Sequence, residues 1–325
     1  MDPRITVILI TPDRFETIRK TVSHMRAQSI ADAIELIIVC VSKANLEAEQ
    51  DDLKGFHSVV IIELGPVRSI GKCYGAGVKV ARAPVVACGE EHSFPDPDWA
   101  EILLERHEED WACVGPDIRP ANPLTMASWA QLFMNYGPCV DLEQGREVEF
   151  LPSHNAAYKK HILLDNYPGN ELEEKLEGES VLFMDLRRRG YKLFLDPRAK
   201  IRHLNISKPS SYIPENFHGG RQFGAARSRS WGLPRRLLYA AGSPLIPLVR
   251  LWRIVPQVWR TEHRKLMLPM FPSLMMCLIM HSLGEAAGYV AGVGNSGRRK
   301  FDYEFHRYRY ITARDVDDVY GKGSA

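Results

Sequence analysis

Residues 85–99 read VVACGEEHSFPDPDW. A short apolar run over 84–88 stops at Gly89 and delivers Glu90, Glu91 and His92 into a proline-bearing turn that ends at Trp99. An uncharged run of strand length, bounded by Gly and Pro, is the signature of a strand buried on both faces. Similar runs lie upstream at 5–10 (ITVILI), 35–41 (ELIIVCV) and 58–62 (SVVII), and downstream at 111–115 (WACVG).

Helical spacing fills the gaps. Phe15, Ile18, Val22 and Met25 recur with that period after a TPDR turn. A glycine-bearing helix is expected near 69–81, and PDPDWAEILLERH opens another with Pro and Asp. Buried strands alternating with helices predict an α/β fold, a mostly parallel sheet with helices on both faces. Ligands of such sheets bind beyond the carboxyl ends of strands at a switch in strand order. Glu90, Glu91 and His92 follow a strand's carboxyl end.

The stretch 116–150, irregular and rich in Pro, Asn, Trp and Gly, is expected to form loops over that face. Next come FLPSHNAAYKKHILLD, a helix over 179–189 ending at Gly190, and YKLFLDPRAKIRHLN, read as strand, turn and strand closed by His203. Beyond His203 the pattern changes, so residues 1–210 are expected to form the catalytic domain and 211–325 a helical, partly amphipathic region.

Composition narrows the class. The chain is 45% hydrophobic and 25% charged with a net charge of +2, a globular balance, yet 198–265 holds fourteen Lys or Arg against Glu215 and Glu262. A block of that kind suits phosphate groups or an anionic surface, or forms a solvated face. No aromatic platform or nucleic-acid motif accompanies it, so nucleic acid is not expected as a partner. TPDRFET lacks the glycine-rich loop a nucleotidyltransferase would need. Six cysteines without a CxxC pair, three of them inside apolar runs, favour a reducing cytoplasm.

In the C-terminal region, 237–249 and 266–280 are uncharged, and Trp252 and Trp259 sit a heptad apart among Arg250, Arg253 and Arg260. With Pro247, Pro256, Pro269 and Pro272 among them, these runs fall short of the roughly 20 apolar residues of a spanning helix. An interfacial helix at a membrane surface, packing on the catalytic domain, or a homo-oligomer interface each accounts for them.

Four groups could carry chemistry. Glu90, Glu91 and His92 could bind a divalent cation, Mn²⁺ or Mg²⁺, with the histidine favouring Mn²⁺; on spacing alone a polar turn is the better reading. His203 is a second candidate ligand. Glu179 could act as a general base, although acids at a helix start commonly serve the dipole. Arg221, Arg227 and Arg229 offer forks suited to phosphate oxygens.

Taken in order, these pieces resemble the inverting family 2 glycosyltransferases over residues 4–205. The first strand, TPDR turn and helix ending at Gln28 are similar to that family's first βα unit. CGEEHSFPDPDW sits where the family has its metal motif, LPSHNAAYKKHIL resembles its acceptor-side segment with Asn155 at the usual Asn, and GESVLFMDLRRRGYKLFLDPRAKIRH resembles its acid, helix and strand signature.

The resemblance implies a single GT-A-like, Rossmann-like domain that moves a sugar from a nucleotide-sugar donor to an acceptor hydroxyl with inversion. It implies Thr11, Asp13 and Arg14 lining the nucleotide pocket, Glu90 and Glu91 near the ribose and diphosphate, and His92 and His203 on the metal. Glu179, eleven residues before Gly190, would be the base, and the cation with Arg221 and Arg227 would offset charge on the departing diphosphate. The acceptor is expected to be lipid-linked or membrane-proximal, and the protein cytoplasmic, peripheral at the inner face of the membrane. A catalytically silent scaffold or membrane-binding subunit is the competing expectation.

Overall fold

The computed structural model describes residues 2–66, 69–152, 154–177 and 179–321, with the backbone alone for Glu179 and Ser180. The chain forms two compact units, one of Met1–Arg119 with Asp141–His203, the other of Pro120–Val140 with Leu204–Ala325.

The first unit opens with β1 (Ile5–Thr11), α1 (Glu16–Arg26), β2 (Ile34–Cys40), the single turn α2 (Lys43–Leu46), β3 (Ser58–Glu63), α3 (Ile70–Val80) and β4 (Val85–Cys88). Every residue of β1, β2 and β4 is buried, which is why they read as continuous apolar runs rather than alternating ones. They pair in parallel in the order β3-β2-β1-β4, so the order reverses between β1 and β4. Register puts Thr11 beside Cys40, and Ile8 beside Cys88, so the strands' carboxyl ends share one edge. α3 presses on β1 at Gly77, where a Cβ would stand 2.7 Å from Ile8.

The expected α/β sheet with helices on both faces is present, and its second half is antiparallel. This half comprises β5 (Ser93–Pro95), β6 (Cys113–Pro120), β7 (Arg146–Val148), β8 (Ala157–Lys159) and β9 (Leu193–His203), with α4 (Trp99–His107) before β6. β8 runs antiparallel to both β4 and β6, and β9 to both β5 and β7. The expected strand, turn and strand ending at His203 is therefore one strand: Leu193–Leu195 pair with β7, and Ile201–His203 with β5. Pro197 falls in the stretch between the two pairings, where no ladder bond of these pairs needs its missing N–H.

The stretch expected as loops holds α5 (Met126–Tyr136) of the second unit, capped by Thr125, whose hydroxyl accepts from the Ser128 N–H. Ala127 to Met134 are all buried, so the helix has no polar face and no period to read.

Between β8 and β9 lie α6 (Lys160–Asn166), α7 (Glu171–Glu177) and α8 (Glu179–Arg188), which ends at Gly190 with φ 91°. α7 docks on α3 through glycines: a Cβ on Gly71 would lie 2.1 Å from the Glu173 carbonyl oxygen, and one on Gly75 2.7 Å from Glu173 Cγ. The Glu177 carboxylate then accepts from Ser69 Oγ at 2.7 Å and from the Gly71 N–H at 2.8 Å, so it caps α3 from another helix.

The second unit adds α9 (Pro209–Arg227), α10 (Leu233–Gly242), α11 (Ile246–Trp259), α12 (Met267–Ala291), α13 (Ser296–Phe305) and α14 (Ala313–Tyr320). α9 and α12 cross at contact distance. Cβ atoms at Gly220 and Gly284 would lie 2.0 Å from the His281 and 2.1 Å from the Phe217 carbonyl oxygens, and Gly224 and Gly288 repeat this one turn along. The prolines do not fragment α12 as the sequence suggested. Pro269 falls among the first four residues, whose N–H groups have no intrahelical partner, while Pro272 lies inside the helix and removes one bond near its start, and 25 residues still run as one helix. By length and composition, the stretch Glu262–Ala291 could cross a bilayer.

Candidate functional site

Strand pairing builds the site. β5 lies antiparallel to the end of β9 with Ser93 opposite His203, which brings His92, the residue before Ser93, against His203 across 111 positions. Their Nε2 atoms stand 3.0 Å apart with the rings edge to face. Glu90 Oε1 lies 3.9 Å from His92 Nε2, and Glu90 Oε2 lies 3.7 Å from His203 Nε2. All three residues are buried.

The supporting contacts are specific. Glu91 Oε1 meets His92 Nδ1 at 2.7 Å, so the carboxylate accepts from Nδ1 and the ring is held with Nε2 toward His203 and Glu90. Thr21 Oγ1 donates to the Glu91 carbonyl oxygen. Glu90 Oε2 accepts from Ser93 Oγ and Asn155 Nδ2, both at 2.7 Å. Asn155 holds φ 68°, a left-handed conformation that asparagine tolerates better than most side chains.

His154, which the sequence reading passed over, brings Nδ1 to 3.2 Å from Glu90 Oε1. Its ring meets Tyr74 edge-on, and the Tyr74 hydroxyl donates to the Gly89 carbonyl oxygen at 2.7 Å. The available signal was its place directly before Asn155. Burial alone would raise the Glu90 carboxyl; His92, the bond from His154, and His203 outweigh it and hold the group well below the usual carboxylate range.

This donor set fits a divalent cation. Glu90, His92 and His203 each aim one ligand atom into a space where all lie within 4.8 Å of one another. Metal–nitrogen bonds of about 2.1 Å give polyhedron edges of roughly 3.0–3.5 Å; the His92–His203 spacing of 3.0 Å falls in that range, and the Glu90 distances of 3.7 and 3.9 Å lie just above it. The carboxylate–histidine pair of Glu91 and His92 is the arrangement that orients a metal-binding imidazole.

The other expected residues fall as follows. Thr11 ends β1, and its hydroxyl donates to the Arg14 carbonyl oxygen while accepting from the Asp13 N–H. Arg14 is exposed and lies 3.4 Å from Glu47. This turn follows β1 and the Glu90 segment follows β4, the two strands that flank the reversal in order. Glu179 begins α8, and its side chain lies outside the described residues. Arg221 and Arg227 are on α9 in the second unit. There Arg221 Nε donates to the Gly292 carbonyl oxygen at 2.8 Å, and Arg227 lies over the Trp231 and Tyr239 rings.

Comparison with known proteins agrees with this picture. Residues 6–165 match the model of "Glycosyl transferase family 2", a span that includes Glu90, Glu91, His92 and Asn155. A glucosyl-dolichyl phosphate glucuronosyltransferase of Haloferax volcanii is 25% identical over 122 residues, 37% of this chain and 39% of that protein. The chain thus spans about two fifths of that relative's length. The structure of the mannosyltransferase PcManGT from Pyrobaculum calidifontis, in complex with GDP-Man and Mn²⁺, superposes with a TM-score of 0.52 at 15% identity. The superposition covers 99% of this chain and 88% of that one, a likeness of fold. Over residues 6–165, just under half of its length, the chain is therefore similar to glycosyl transferase family 2, with Glu90, Glu91, His92 and Asn155 inside the matched span and His203 beyond it.

Proposed function

We propose that the chain transfers a sugar from a nucleotide-sugar donor to an acceptor hydroxyl, with inversion at the anomeric carbon. The observation that carries this reading is the buried Glu90, His92 and His203 set beyond β4, with Glu91 orienting His92. Glu90, His92 and His203 would hold Mn²⁺ or Mg²⁺, which when bound offsets negative charge on the diphosphate. Imidazole donors favour Mn²⁺ of the two. His154 holds Glu90 from the other side and keeps it ionised.

Thr11, Asp13 and Arg14 would receive the nucleotide at the end of β1. Arg221 and Arg227 of the second unit offer forks suited to phosphate oxygens, beside their packing roles on α9. Glu179 would take the proton of the acceptor hydroxyl. The acceptor oxygen then bonds to the anomeric carbon as the bond from that carbon to the diphosphate oxygen breaks, from the opposite face.

The relative named for a glucosyl-dolichyl phosphate supports a lipid-linked acceptor and a place at a membrane. The six cysteines, all buried and none in a disulfide among the described residues, support the cytoplasmic side. Donor turnover by a Glu179→Gln variant tests the reading. The expected result is loss of turnover on the order of a thousandfold, with nucleotide affinity and fold unchanged and an inverted product from the parent chain. Normal turnover by the variant removes Glu179 from the role of base, and a retained anomeric configuration removes the single-displacement reading.

A further inference from the structure

α12 carries two unlike faces. Leu274, Cys277, Leu278, Glu285 and Tyr289 are buried. Leu268, Met276, Ile279, Leu283 and Val290 are exposed, and at 100° per residue they fall on one stripe opposite that core. α11 repeats the theme: Leu245 just before it, Trp252 and Trp259 follow at heptad spacing and are 63%, 77% and 60% exposed. α10 has no buried residue, and Leu233, Leu237 and Leu238 all face out. Both α10 and α11 pack on α12. Apolar exposure of this extent on neighbouring helices marks an interaction surface.

Charge identifies the occupant. From Arg227 to Lys265 the chain holds nine Lys or Arg and a single acid, Glu262. Arg235, Arg253, Arg264 and Lys265 are exposed among the leucines and tryptophans. Tryptophan and leucine interleaved with cations on exposed helices match a headgroup layer bearing phosphates, and match a protein partner poorly.

Spanning by α12 conflicts with its buried face. Glu285 sits there with His281 at 3.3 Å and accepts from Tyr289 at 2.9 Å. Through Gly220, Gly224, Gly284 and Gly288 the helix is pressed backbone to backbone on α9, whose Glu215 is paired with Lys300 of α13. A crossing α12 would draw α9 and its ionised groups into hydrocarbon.

We propose that α10, α11 and the outer stripe of α12 lie in the headgroup layer of an anionic phospholipid leaflet, with the arginines on lipid phosphates and no helix crossing. The surface rests on its own residues; it relies on the proposed function only in giving a lipid-linked acceptor a place to be met.

The test uses the full chain with vesicles of phosphatidylcholine alone or mixed with phosphatidylglycerol. Expected are partitioning tighter by at least tenfold on the mixed vesicles, weakened by salt, tryptophan quenching by lipids brominated near the headgroup, and release by alkaline carbonate. Leu237→Asp with Leu238→Asp, at exposed positions, should abolish partitioning with helicity and nucleotide binding intact. Quenching only by deeply brominated lipids with resistance to carbonate would establish spanning and overturn the proposal. A stable dimer that ignores both vesicle types would overturn it in favour of a second copy. Loss of nucleotide binding with lipid partitioning retained would count against the enzymatic reading alone.

Discussion

His92 and His203, 111 residues apart, meet at 3.0 Å between their Nε2 atoms because β5 lies antiparallel to the end of β9. Two imidazole nitrogens at that distance share at most one proton, and the Glu90 carboxylate beside them completes a set that fits a cation. The first prediction concerns what orients it. Glu91→Ala removes the acceptor on His92 Nδ1 and should weaken Mn²⁺ binding about 10- to 100-fold by calorimetric titration. Glu91→Gln, which keeps an acceptor oxygen, should lose less. Equal and negligible losses in both would detach Glu91 from the site.

A second prediction follows from the α3–α7 contact. Gly71→Ala places a Cβ within 2.1 Å of the Glu173 carbonyl oxygen and 2.6 Å of the Glu177 nitrogen, backbone atoms that cannot rotate away. The expected cost is about 3 kcal/mol in urea unfolding. Turnover should fall further than stability explains if Glu179, two positions beyond the end of α7, is the proposed base.

A third concerns pH. His107 is buried with Nε2 on the Ala157 carbonyl oxygen, and burial pushes its imidazole down to about 4. The unfolded chain protonates near 6.5, so between those values it binds more protons than the folded one, and stability rises with pH. The contribution is fully present above about 6.5 and lost as the pH falls toward 4, about 3 kcal/mol in all. His107→Gln keeps a donor to Ala157 and cannot ionise, so its stability should be flatter over that window by chemical denaturation.

Much of this was legible because fully buried strands leave continuous apolar runs: β1, β2 and β4 were read almost residue for residue. The run beyond β4 was legible for the same reason, since a charged cluster abutting a buried strand stands out. What stayed hidden was set by pairing rather than by local pattern. β9 looked like two strands because its halves pair with different partners around Pro197. α5 was invisible because both its faces are buried, and α12 looked interrupted although its prolines occupy its first two turns. His154 had no pattern of its own; only the fold turns it toward Glu90.

A fourth prediction addresses the second unit. Gly284→Val would drive its side chain into the Phe217 carbonyl oxygen, already 2.1 Å from a Cβ at that position. Separation of α9 from α12 should lower the thermal midpoint of the chain and expose Tyr289 and Glu285, seen as lost amide protection over 281–289.

The most direct measurement is titration of the full chain with uridine and guanosine diphosphates, with and without Mn²⁺, alongside His203→Ala. The expected result is saturable binding of at least one diphosphate that Mn²⁺ strengthens by tenfold or more, with the Mn²⁺ effect lost in the variant and its fold unchanged. Binding of neither diphosphate, or binding indifferent to Mn²⁺ and to His203→Ala alike, would contradict a cation held by Glu90, His92 and His203 against a nucleotide-sugar donor.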